Sequence, residues 1–96
     1  MHRVTVELLG LEPLSDRERT FLLASVPEPE FSLISRVTSA DLDAPCQVGD
    51  TYAFGIGDPA AIGLANWLPG DMVDLILVPA EKGKIPPWHV TLAKPS

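Results

Sequence analysis

Ten prolines fall within the 96 residues of this chain, at 13, 27, 29, 45, 59, 69, 79, 86, 87 and 95, and nearly all stand where an apolar period breaks. Proline fixes its own φ and offers no amide, so each marks a boundary that regular structure must respect. The chain is thereby cut into short runs, and the period within each run says what it can form.

"RVTVELL" sets Val4, Val6 and Leu8 against Arg3, Thr5 and Glu7, the alternation of a half-buried strand, which ends at Gly10. After Pro13, "LSDRERTFLLAS" places Ser15 and Glu18 at capping-box spacing and puts Leu14, Phe21, Leu22 and Ser25 on one face of a helix over 15–25. The competing reading of "TFLLASV" is a strand. "VPEPE" is a rigid connector, "FSLISRV" a second strand, and "TSADLDAPCQVGD" a polar loop closing in a Val48-Gly49-Asp50 turn. "TYAFGI" alternates Tyr52, Phe54 and Ile56 as a third strand. Asp58 then stands at an N-cap and Pro59 at N1 of a short helix reaching Trp67, stopped by Pro69 and Gly70. "MVDLILV" is a fourth strand, apolar on both faces apart from Asp74 and therefore expected to be central or covered. "EKGK" reads as an exposed turn, and "WHVTLA" as a fifth strand with Trp88, Val90 and Leu92 on one face.

This order matches an α+β, ferredoxin-like βαββαβ fold with an added C-terminal strand. With residues 15–25 as a strand, the chain becomes instead a small β-barrel with one helix. No repeat or linker divides it, so residues 1–96 are expected to form a single small globular domain. An apolar fraction of 46% supplies enough surface to offset chain entropy. A domain this small struggles to hide that much apolar surface, which points to self-association as a homodimer through the sheet edge at "WHVTLA" or the surface near Trp88.

The net charge of −6 is unevenly spread. From Val37 to Glu81 there are seven acids and no Lys or Arg; Lys82, Lys84 and Lys94 then follow without an acid, and residues 1–36 hold six acids against four arginines. A polyanion would be repelled by most of this surface, so nucleic acid is not an expected partner. A basic protein partner is. The longest apolar runs are far shorter than the roughly 20 residues of a membrane span. Glu7 interrupts the stretch where an export signal needs apolar residues, and a lone cysteine, Cys46, suits a reducing compartment, so the expected setting is the cytoplasm.

The most suggestive local motif is "GIGDPAA": Gly55, Gly57 and Ala60 have the G-x-G-x-x-A spacing of a dinucleotide loop between a strand and a helix. Glu81, at the end of the following strand, even stands where a ribose-binding acid belongs. Two features oppose this. Asp58 would set a carboxylate beside the phosphate, and Pro59 removes a donor amide. No cofactor is therefore expected, and Gly55, Gly57 and Asp58 remain candidates only for an unspecified small ligand. His2, His89 and Cys46 carry no local catalytic signature, no acid/base constellation can be assembled by spacing, and "DLDAPC" with Asp50 lacks the spacing of a calcium loop, so neither a catalytic set nor a metal site is assigned. Trp67, Trp88 and His89 are the candidate interface residues. The function expected on these grounds is a non-catalytic protein-interaction module of the accessory, inhibitor or immunity type, using an acidic surface or a sheet edge. The alternative is a small-molecule-binding or sensor domain with its site near residues 55–60.

Overall fold

A computed structural model describes residues 1–62, 64, 66–81, 83 and 86–92. Six strands form a closed barrel: β1 (His2–Pro13), β2 (Ala24–Ser25), β3 (Phe31–Ala40), β4 (Thr51–Ile56), β5 (Met72–Pro79) and β6 (Trp88–Leu92). Around the ring the order is β1-β3-β4-β2-β6-β5. The ferredoxin-like expectation is thus overturned, and the β-barrel alternative fits without its helix: the described residues contain no α-helix, only two single 3-10 turns.

Four of the expected strands appear close to their sequence bounds, and their alternation becomes the barrel interior. Val4, Val6, Leu8, Leu33, Val37, Phe54, Ile56, Leu75, Leu77 and Val90 are buried in one cluster. The first strand runs past Gly10 because the chain inserts bulges. Along β1 and β3 the register jumps from Thr5↔Ser39 to Val6↔Val37, leaving Thr38 unpaired, and from Leu8↔Ser35 to Gly10↔Ile34, leaving Leu9 unpaired. Each bulge bends its strand, and the second reverses the inside–outside phase so that Leu11, opposite Leu33, packs on the core.

The helix expected over 15–25 is replaced by a 3-10 turn, Glu18–Phe21, and by β2. The capping box does not form; the Glu18 amide donates to the Ser15 carbonyl, and the turn's cap residue, Arg17, makes no side-chain cap bond. Phe21, assigned to the buried helix face, is 79% exposed. The backbone of this segment is used sideways instead. Leu23 and Val26 amides donate to the Ala53 and Gly55 carbonyls, Ala24 and Ser25 pair in parallel with Phe54 and Gly55, and Ser25 pairs with His89. A helix here would leave the ring open between β4 and β6, so the tertiary ladder overrides the helix propensity of Leu22, Leu23 and Ala24.

The second expected helix shrinks to the turn Pro59–Ile62. Asp58 does act at its start, Oδ1 accepting from the Ala60 amide at 3.0 Å. A segment so short gains few internal bonds and forms only what tertiary contacts support. Pro69 and Gly70 occupy the centre of a turn, the Asp71 amide donating to the Leu68 carbonyl with Gly70 at φ +97°. The strand expected to be apolar on both faces, β5, buries only Leu75 and Leu77, while Met72 and Val78 face outward. Of the "WHVTLA" segment, Trp88–Leu92 is not a free edge: β5 pairs along one side of it and β2 touches the other at His89, while Ala93 lies outside the described residues.

Candidate functional site

The two ends of the barrel are closed by different connections. At the end where β1 begins, residues 41–50 join β3 to β4. At the other end, residues 57–71 join β4 to β5, with Leu64 buried in the core.

The dinucleotide-like motif falls on the second of these, and its first glycine is not open to a ligand. Gly55 is buried in β4, beneath the segment that closes the ring. A Cβ on it would overlap Ser25 Oγ and lie 2.9 Å from Leu22 Cδ1 and 3.0 Å from Pro29 Cβ. The residue is glycine because another piece of the same chain crosses there. Gly57 has open space around its Cα and no positive φ. The exposed Asp58 spends one carboxylate oxygen on Ala60.

The expected interface residues are dispersed. Trp88 is half-buried against the core, its ring meeting that of His2 edge-on with centroids 5.3 Å apart. His89 lies beside it on the opposite face of β6, and Trp67 packs on the core from the 57–71 connection. Among the described residues the ring contact made by Trp88 is with His2, not with Trp67. Cys46 is buried, and desolvation pushes its thiol pKa up, the opposite of what a nucleophile needs.

The 41–50 loop is built differently. Asp41 is held from two directions: its Oδ2 accepts the Arg3 amide at 2.7 Å, and its own amide donates to the Arg3 carbonyl at 3.1 Å. The Ala44 amide returns to the Asp41 carbonyl, making a turn with Asp43 at φ +68°, a conformation that Asp tolerates better than most residues. Ala44 and Cys46 drop into the core, and the Gln47 amide donates to the Tyr52 hydroxyl at 2.9 Å. A second turn follows, with Gly49 at φ +94° and its amide on the Val37 carbonyl.

What this anchoring holds outward is unusual. Leu42, between Asp41 and Asp43, is 89% exposed, and Val48 is 61% exposed. Asp41, Asp43 and Asp50 are all exposed beside them. The sequence offered one signal for this arrangement, the apolar residue inside "DLD", but reading the segment as a polar loop passed over it. Lys82, Lys84 and Lys94, which carry the charge reversal near the C-terminus, lie outside the described residues.

Comparison with protein-family models, with curated proteins and with solved structures gave no match, so the functional reading rests on this geometry.

Proposed function

We propose that the chain is a non-catalytic interaction module, of the accessory, inhibitor or immunity type, that engages a basic protein surface through its 41–50 loop. The observation that carries this reading is Leu42, almost wholly exposed at the tip of a loop tied down on both sides. An exposed Leu on a floppy loop would have to be ordered on binding. Here Asp41, Ala44, Cys46 and Gln47 are already fixed, so docking loses little conformational freedom. Leu42 and Val48 supply apolar area, while Asp41, Asp43 and Asp50 steer a cationic partner and reject an anionic one.

The small-ligand alternative near residues 55–60 gains no comparable support, because the chain itself fills the space above Gly55. The test is affinity capture from the native host with the wild-type chain, an Asp58→Ala variant and a Leu42→Ser/Asp43→Lys double variant, each confirmed folded by circular dichroism. A protein retained by the first two, released by salt and lost from the third is the expected result. Equal retention by all three, or loss through Asp58→Ala alone, contradicts the assignment to this loop.

A further inference from the structure

The outer wall formed by β1 and β5 carries a pattern that the loop does not use. With Val4, Val6, Leu8, Leu75 and Leu77 directed into the core, their neighbours face out, and the register sets them in three rows: Arg3 beside Ile76, Thr5 beside Asp74, Glu7 beside Met72. Along β5 the two outer rows are apolar. Along β1 they are oppositely charged. The middle row is closed on itself, Thr5 Oγ1 donating to Asp74 Oδ1 at 2.7 Å. Apolar residues extend both ends of this grid, Met1 and Val78 at one and Leu9 and Leu68 at the other, all of them exposed. The second end is held in place, for the Leu68–Asp71 turn is bonded to β1 through the Gly70 amide on the Leu8 carbonyl and the Leu8 amide on the Asp71 carbonyl.

We propose that this wall is a homodimer face, covered by a second copy of the chain through a two-fold axis running across the strands at the Thr5–Asp74 row. That operation lays Arg3 over Glu7 of the other copy, twice, and Ile76 over Met72, twice. It also brings Met1 and Val78 onto Leu9 and Leu68. A surface with this order of charges is complementary to itself under that rotation, as a two-fold interface requires. Glu7 already binds Arg36 of its own chain through Oε1, which leaves its second carboxylate oxygen for the incoming Arg3. Two elements oppose it: Asp74, which meets its own copy near the axis, and Arg36, whose charge beside Glu7 faces the incoming Arg3 and offsets part of the attraction. Two facing walls of two strands bury less than the roughly 1,200 Å² of a standard interface, so the dimer is weak and reversible.

Sedimentation velocity over a concentration series tests this with four chains. The wild type is expected to dimerise reversibly. Met72→Glu, at an exposed position, places a charge over Ile76 of the other copy and is expected to weaken association at least tenfold. Asp74→Asn keeps an acceptor for Thr5, removes the charge at the axis and is expected to tighten association several-fold. Leu42→Ser is expected to leave the dimer unchanged, which separates this face from the loop proposed above. A monomer at about 1 mM for both the wild type and Asp74→Asn overturns the proposal. So does a dimer indifferent to Met72→Glu, or one lost through Leu42→Ser.

Discussion

Residues 55–60 and residues 41–50 stand in opposite relation to their sequences. The first has the look of a functional motif, and its leading glycine turns out to be where the chain closes its own ring. The second reads as an ordinary polar loop, and it presents the most exposed large apolar side chain of the described residues on a firm base. Local sequence motifs report what a backbone could do for a ligand. They do not report which distant segment has already taken the place.

The sharpest way to break this comparison is Gly55→Val. If Gly55 serves a ligand, the substitution leaves stability nearly unchanged. If it serves closure of the barrel, the branched side chain meets Ser25, Leu22 and Pro29, and more than about 3 kcal/mol is lost, enough to prevent folding of a small domain. Circular dichroism and urea unfolding separate the two outcomes.

On the other side of the comparison, Asp41→Ala removes the acceptor for the Arg3 amide and is expected to cost about 1 kcal/mol in urea unfolding. Amide exchange at Arg3 and Ala44 should quicken with it. A loop that stays as protected as the wild type would show that Asp41 is not its anchor.

Ser35 tests the buried interior of β3, the strand that leads into the loop. It pairs with Tyr52 across β3 and β4, and its buried hydroxyl has no hydrogen-bond partner among the described residues. Ser35→Ala should therefore leave the loop in place and stabilise the fold, by up to about 1 kcal/mol, in thermal unfolding. A loss of stability would reveal a partner for the hydroxyl.

The smallest expected effect concerns Cys46. Burial raises its thiol pKa in the folded chain, so between the unfolded and folded values the native state holds the proton that the unfolded state releases. Its contribution to stability is then complete below the ordinary thiol range near about pH 8.5 and is lost as pH rises through that range toward the folded value. Subtracting the pH profile of Cys46→Ala from that of the wild type isolates this slope. A flat difference would mean that the loop lifts off and exposes the thiol.

What the sequence made legible follows the same division between local and distant causes. Val4, Val6 and Leu8, or Phe54 and Ile56, declare a strand by period alone, because each faces the same core. The two-residue strand Ala24–Ser25 has no period to show, and its place depends on a vacancy at Gly55, thirty residues downstream. The helical face drawn through Leu14, Phe21 and Leu22 was a coincidence of spacing, as the exposure of Phe21 shows. The bulges at Leu9 and Thr38 exist only relative to a partner strand, so no reading of one strand could find them. At the loop, Leu42 between two acids was visible, but the Arg3 and Tyr52 bonds that make it an anchored feature are contacts of tertiary structure.

The most direct test of the contrast is urea unfolding of Gly55→Ala and Leu42→Ser, measured side by side with the wild type. A single methyl at Gly55 is expected to cost about 2–3 kcal/mol, because Ser25, Leu22 and Pro29 must give way, whereas Leu42→Ser should stay within about 0.5 kcal/mol of the wild type. Equal stability of Gly55→Ala and the wild type, or a loss above about 1 kcal/mol for Leu42→Ser, would contradict the assignment of the first position to architecture and the second to a free surface.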